Sequence, residues 1–300
     1  MGKRIRIGCR DSVLAVKQAQ IVMGAVRDPS IEFELVLIKT TGDKALDRNL
    51  DEIGGKGLFI KELELALIDG GIDIAVHSYK DMPYDETDGL PVVAVSKREA
   101  PFDALVLPEG VAEIDRGKPV GSSSLRRTIQ FNRLYDGFEV KPIRGNVPTR
   151  LSKLELGEYS ALILAQAGLI RLGLGHRVAL VFTLDEMIPS GSQGIIAVQG
   201  RQGEDYSFLD SFHCQESEIV SKAERRFLKT LSGGCTSPVA VYGELIGRKL
   251  MLTGMYVDGS GNVETGRVSG DASNAESLGE ALSTLIRGDC NLRQDNSLAN

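Results

Sequence analysis

The sequence predicts an α/β chain with a smaller α+β unit at its C-terminal end, and three observations carry that reading. Over roughly the first 200 residues, short β-branched runs alternate with amphipathic segments of helical period, the pattern of parallel or mixed sheets covered by helices. From about Glu216 a helical segment is followed by three strand-like runs and a last helix, which suits a small antiparallel sheet. The length, 300 residues, fits two or three such units and is ample to bury a core.

The expected strands are Arg4–Gly8, Glu32–Ile38, Ile72–Val76, Val92–Val95, Ala104–Leu107, Glu139–Ile143, Ala161–Leu164 and Ile195–Val198. Between them the spacing predicts helices over Ser12–Val26, Leu58–Ile68, Leu125–Leu134 and Val147–Leu156. In the second of these, Phe59, Leu63 and Ala66/Leu67 share a face, and Gly70-Gly71 ends it as a C-terminal glycine should. The last unit reads as a helix over Glu218–Leu231, strands Val239–Ile246, Lys249–Tyr256 and Val263–Ser269, and a helix over Ala275–Ile286. Gly247-Arg248 and Gly259-Ser260-Gly261 are hairpin signals. The polar tail after Gly288 is expected to fray.

Composition narrows the function classes. Lys and Arg total 35 against 41 Asp and Glu, a net charge of −6. A long-range field of that sign disfavours general binding to nucleic acid or to an anionic membrane. Any anion must therefore be met by local basic clusters. No apolar run approaches the ~20 residues of a membrane span, and MGKRIRIGCR is too charged for a signal peptide. Cys9, Cys214, Cys235 and Cys290 lie far apart without CxxC or histidine at ligand spacing, and the histidines are three, so a reduced, cytoplasmic chain with no metal site is expected.

Such clusters exist. Three times a strand ends, a small polar residue stands beside arginine, and a helix begins: Gly8-Cys9-Arg10-Asp11-Ser12, Gly121-Ser122-Ser123-Ser124-Leu125-Arg126-Arg127, and Arg144-Gly145-Asn146-Val147-Pro148-Thr149-Arg150. Ser and Asn suit the cap, and Pro148 suits the first turn. Arginine does not, because a cation in a first turn opposes the helix dipole by ~0.3–1 kcal/mol unless an anion is there. A lone arginine of this kind would simply pair with a surface carboxylate. Five at three corners of an acidic protein point instead to a ligand with several negative groups, held by guanidiniums and free backbone N–H groups. The carboxyl ends of the strands are the expected place.

A fourth strand end, in Asp73–Pro83, leads into Ser78, Lys80 and Asp81. Beside the arginine corners, Asp81 is the natural carboxylate to steady a developing cation or exchange a proton. His77 reads equally as a packed strand residue or as a catalyst and is left out of the active set. The glycine-rich stretch 42–57, with Gly54-Gly55-Lys56-Gly57, lacks phosphate-loop spacing and reads as a lid or an ordinary long loop. Leu231-Ser-Gly-Gly-Cys235-Thr-Ser-Pro238 sets a cysteine in an open turn, either a nucleophile or an attachment point.

Several of these segments together resemble one family. Arg10…Ser12…Leu14-Ala15, Gly54-Gly-Lys-Gly-Leu-Phe59…Lys61-Glu62-Leu63-Glu64, His77-Ser-x-Lys-Asp81, Gly121…Ser-Ser-Leu-Arg-Arg127, Arg144-Gly-Asn-Val-x-Thr-Arg150-Leu-x-Lys-Leu154 and Gly233-Gly-Cys235-x-x-Pro238 are similar to the motifs of the porphobilinogen deaminases (hydroxymethylbilane synthases), in family order over about residues 4–256.

The resemblance implies two periplasmic-binding-protein-like (type II) α/β domains around a cleft, 1–97 with 193–214 and 98–192. It adds a third α+β domain, 215–300, with an antiparallel three-stranded sheet. It implies a transferase that builds a linear tetrapyrrole, hydroxymethylbilane, from four porphobilinogen molecules on a dipyrromethane cofactor held by a thioether to Cys235. Under it Asp81, Arg10, Lys80, Arg144 and Arg150 are catalytic. Ser12, Ser78, Ser123, Ser124, Arg126, Arg127, Asn146, Gln193, Gly194, Lys56 and Phe59 bind cofactor or substrate. A cytoplasmic monomer without nucleic-acid, membrane or metal partner is the further expectation.

The chain departs from the family pattern at Cys9, where Thr is common. It departs again over Lys97–Asp103, a less charged version of the usual segment, and at Gln199, where Glu is usual. These departures bear on the hinge between domains rather than on the arginine corners. The rival from another class is a non-catalytic carboxylate binder of periplasmic type, which would have no use for Cys235 in its turn.

Overall fold

The computed structural model describes residues 3–40, 60–232 and 238–297. Three sheets organise them. The first has the order β2-β1-β3-β10-β4, from β1 (Lys3–Arg10), β2 (Ile31–Ile38), β3 (Ile74–Ser78), β4 (Val92–Val95) and β10 (Ile196–Gln199). The second has the order β7-β6-β8-β5-β9, from β5 (Asp103–Val106), β6 (Val120–Gly121), β7 (Val140–Lys141), β8 (Ala161–Ala165) and β9 (Val178–Val181). In both, three parallel strands run second-first-third, and an antiparallel strand then separates them from the fourth. The third sheet is an antiparallel β11-β12-β13, from Val239–Ile246, Lys249–Val257 and Val263–Asp271. The two like-wound mixed sheets and the antiparallel three-stranded one give the α/β plus α+β fold expected from the sequence.

Helices cover these sheets on their apolar faces. Ala15, Ala19 and Val22 of α1 (Val13–Ala25) pack with Ile5, Ile7 and Ile74 of the first sheet. Leu63 and Leu67 of α2 (Lys61–Ile68) pack with Ile72 and Ala75. On the second sheet, Phe131 of α3 (Leu125–Leu134) joins Val120, Ile163 and Phe182. Leu151 and Leu154 of α4 (Val147–Glu155), with Leu169 of α5 (Gln166–Arg171), meet Ala104 and Leu162. In the C-terminal part, Phe227 of α6 (Gln215–Ser232) and Leu282 of α7 (Ala275–Ser297) close over Leu252.

The tail departs from expectation: α7 runs through residues 289–297 rather than fraying at Gly288. Once Leu282 and Ile286 dock the helix, each added residue gains a backbone bond without a new nucleation cost, and no proline interrupts it. The expected strand Glu139–Ile143 shrinks to Val140–Lys141, because Pro142 has no N–H to donate to a ladder.

The chain crosses between the first two sheets at 96–102 and again at 182–195. Both crossings are gripped by one buried carboxylate. Glu224, on α6, accepts from Arg98 Nη2 and Nη1 at 2.6 and 3.0 Å, from Ser192 N at 2.6 Å and from Gly243 N at 2.7 Å. Phe102 lies 5.5 Å from the Tyr242 ring of β11. The departures over Lys97–Asp103 thus include direct contacts with the third sheet.

Candidate active site

Every predicted corner forms at the carboxyl end of a parallel strand. β1 ends at Arg10, and Ser12 then caps α1, its hydroxyl accepting from Ala15 N at 3.3 Å. β6 ends at Gly121, where a Cβ would stand 2.6 Å from Leu162, so only glycine fits. Ser123 follows, donating to the Ile143 carbonyl at 2.6 Å and accepting from Ile143 N at 3.0 Å, which pins the two neighbouring corners together. Ser122 Oγ accepts from Ser124 N at 3.2 Å, and Ser124 leads α3 without a side-chain cap bond. After β7, Asn146 caps α4, accepting from Thr149 N at 3.0 Å.

The arginines diverge in use. Arg126 and Arg127, each 7% exposed, turn inward onto Asp103, which is 0% exposed. Arg126 Nη1 lies 2.7 Å from Asp103 Oδ2, and Arg127 Nε and Nη2 lie 2.9 and 2.8 Å from Oδ1. Burial alone would raise the Asp103 carboxyl, but the two guanidiniums hold it well below the usual carboxylate range. Gln193 Nε2 adds a bond to Asp103 at 3.0 Å and one to the Pro101 carbonyl at 2.8 Å. Lys80 Nζ donates to Gln193 Oε1 at 3.2 Å. A polar chain Lys80–Gln193–Asp103–Arg126/Arg127 therefore joins the turn after β3 to the helix after β6.

At α4 the guanidinium of Arg150 donates through Nε to the Gly145 carbonyl at 2.7 Å and forms no ion pair among the described residues. Burial lowers it to about 10, with the charges of Arg127 and Arg144 pushing the same way and Asp81 opposing. Lys80 is likewise lowered by burial to about 8 against the pull of Asp81, with Arg127 and Arg126 adding to the fall. These mutual influences place Lys80, Asp81, Arg127, Arg144 and Arg150 within one field. Asp81 stands exposed on the 3-10 turn Tyr79–Asp81 that follows β3. Cations thus outnumber carboxylates around it, inside a protein that is acidic overall, and that donor set fits a group with several carboxylates.

Other predicted residues have structural partners. The Ser78 hydroxyl meets Gln18 Nε2 at 2.8 Å. Gly194, at φ +89°, would set a Cβ 2.3 Å from the Glu99 carbonyl, and its own carbonyl accepts from Arg171 at 2.6 Å. Lys56, Phe59, the stretch 42–57 and Cys235 lie outside the described residues. Sequence reasoning missed Asp103, Gln18, Arg171 and Glu224, and Asp103 corrects the expectation that the Lys97–Asp103 segment stays clear of the arginine corners, because it pairs with both Arg126 and Arg127. Gln18 alone left a trace, a polar residue on the Ala15/Ala19/Val22 face of a helix.

A cleft of about 460 Å³ between β4 and α6 lies behind the Tyr79–Asp81 turn. Its four cations are already engaged: Lys222 by Glu218, Arg226 by Glu280, Lys229 by Asp85, and Arg225 by the Pro83 carbonyl. It does not extend the anion site.

Comparison with known proteins decides the family. A model described as porphobilinogen deaminase, dipyromethane cofactor binding domain, matches residues 5–208, and its C-terminal-domain counterpart matches 219–287. The chain belongs to the porphobilinogen deaminase family. A porphobilinogen deaminase of Acetivibrio thermocellus is 57% identical over 281 residues, covering 93% of this chain and 96% of the relative. One from Alkaliphilus oremlandii is 54% identical over 288 residues, covering 95% and 97%. Among solved structures, the methionine-binding protein MetQ is 14% identical with a TM-score of 0.44, covering 70% of this chain and 88% of that one. Among the described residues of this family member, no helix is long and apolar enough to cross a membrane.

Proposed function

We propose that this porphobilinogen deaminase family member acts as a hydroxymethylbilane synthase. It joins four porphobilinogen molecules head to tail, with loss of ammonia at each joining, and releases the linear tetrapyrrole by hydrolysis. The observation that carries the reading is the excess of cations from both α/β sheets around the exposed Asp81 carboxylate. When bound through a thioether to Cys235, the dipyrromethane supplies the pyrrole end on which the product grows.

Each porphobilinogen brings an acetate and a propionate. In this reading Arg10, Arg144 and Arg150 hold such groups, with the N–H groups at the starts of α1, α3 and α4 adding donors. Lys80, tied to Gln193, presents its ammonium beside Asp81. As ammonia leaves, positive charge spreads onto the pyrrole nitrogen, and in this reading the Asp81 carboxylate stabilises that charge and takes up the ring proton. Arg126 and Arg127, sharing the single Asp103 carboxylate and so keeping a net positive charge, hold the α3 corner in shape and turn any remaining donors toward the bound acids. The units 1–97 with 193–214, 98–192 and 215–300 act as three domains, the first two joined at the 96–102 and 182–195 crossings. Porphobilinogen is the one partner of this reading, a cytoplasmic monomer its setting.

Intact-mass measurement on protein expressed in cells that make porphobilinogen tests it. The account expects an adduct of dipyrromethane mass that disappears in Cys235→Ser. A bare mass in active wild-type protein overturns it.

A further inference from the structure

The turn that carries Asp81 is short, and part of what holds it comes from outside the first sheet. A three-residue 3-10 turn closes little on its own, here the bond from Met82 N to the Tyr79 carbonyl at 3.2 Å. Tyr79 N donates to the Ile195 carbonyl at 3.0 Å, and Met82 is buried with Ile60, Val95 and Ile195. A further grip comes from α6. Arg225, 7% exposed, sets its guanidinium carbon 4.4 Å from the centre of the Tyr79 ring and donates through Nη2 to the Pro83 carbonyl. One side chain thus touches the residue two before Asp81 and the residue two after it. Tyr84 then packs against the apolar cluster of α6 and the third sheet.

We propose that Arg225 is a positioning residue for the reaction: it ties both ends of the Tyr79–Pro83 segment to α6 and so holds the Asp81 carboxylate between them at its working place. The manner of contact agrees. Lys222, Arg226 and Lys229 of the same helix pair with Glu218, Glu280 and Asp85. Arg225 turns instead to a ring face and a backbone oxygen. Burial raises the Tyr79 phenol, with the Arg225 charge opposing, so the guanidinium lies over a neutral ring. A planar guanidinium can rest on a ring while one N–H points at a carbonyl, two contacts that the compact ammonium of lysine does not combine. Without them the turn keeps its carboxylate but not its exact position, and a misplacement of ~1 Å costs about 10²-fold in rate. The inference rests on the reading of Asp81 as the reacting carboxylate.

The test uses the holoenzyme, with kcat counted per molecule that carries the cofactor adduct by intact mass. In Arg225→Gln the proposal expects kcat to fall by about 10- to 100-fold while KM for porphobilinogen stays within about twofold, the pattern of a contact realised in the transition state. Amide exchange across residues 79–83 should quicken by about tenfold in the same variant, while α6 stays protected. Arg226→Gln is the control, since that side chain pairs with Glu280 of α7, and it should move neither readout. A wild-type kcat in Arg225→Gln, a fall in kcat without faster exchange in the turn, or an equal response from Arg226→Gln overturns the proposal. If Arg225→Gln does not fold, Arg225→Lys keeps the charge without the fork, and smaller changes in the same direction are expected; wild-type kcat and exchange there overturn it. Asp81→Asn separates the two layers. Near-normal ammonia release from it, with the turn of Arg225→Gln loosened, refutes Asp81 as the reacting group and leaves only the clamp standing.

Discussion

The starts of α3 and α4 carry the same signature in sequence and use it in opposite ways. At α3, Arg126 and Arg127 are sealed inside and share the single Asp103 carboxylate, so the protein itself provides an anion at that corner. At α4, Arg150 rests on a backbone carbonyl, with no ion pair among the described residues, and is pulled down by burial and by its cationic neighbours. A cation at a helix start therefore marks where negative charge is needed without saying who brings it. Under the proposed function, the α4 corner is the one kept for the ligand.

The two carboxylates facing this cation cluster sharpen the contrast. Asp103→Ala strands two buried guanidiniums, and breaking a buried pair in this way costs ~3–5 kcal/mol. A urea midpoint displaced by that amount is expected, and an unshifted midpoint would break the comparison. Asp81→Asn should do the reverse, leaving the melting temperature close to wild type while porphobilinogen consumption falls by ~10²–10⁴. Near-normal ammonia release from that variant removes Asp81 from the chemistry.

Acid titration probes the sealed side more gently. His77 and Asp103 both have folded-state values below their unfolded ones. Above the unfolded values their contributions are fully present. As pH falls below about 6.5 the unfolded chain takes up a proton at histidine that buried His77 refuses until about 4, and Asp103 acts in the same sense at lower pH. Stability should drop across pH 6.5 to 4 by up to ~3 kcal/mol, and less in His77→Gln. A flat profile contradicts the burial of a neutral imidazole.

Much of this was legible in the sequence, for identifiable reasons. Strands such as β4 and β11 have the predicted bounds because their β-branched runs are bracketed by turn residues. The two-residue β6 has no periodicity to detect, and α5 is too short for one. The corners were visible because serine, asparagine, proline and arginine each carry a positional meaning at a helix start. What pairs with them was not. Asp103 lies at the head of an antiparallel strand, and only the sheet order β7-β6-β8-β5-β9 brings it under α3. The Glu224 grip on both crossings depends in the same way on how α6 docks, which no local pattern encodes.

The central claim is that Arg150, which forms no ion pair among the described residues, holds acids of the growing pyrrole chain. Its most direct test is the mass spectrum of enzyme-bound intermediates when Arg150→Gln is mixed with limiting porphobilinogen, beside its melting curve. The account predicts a wild-type melt with elongation stalled after the earliest additions. A variant that elongates through every step at the normal rate would contradict it.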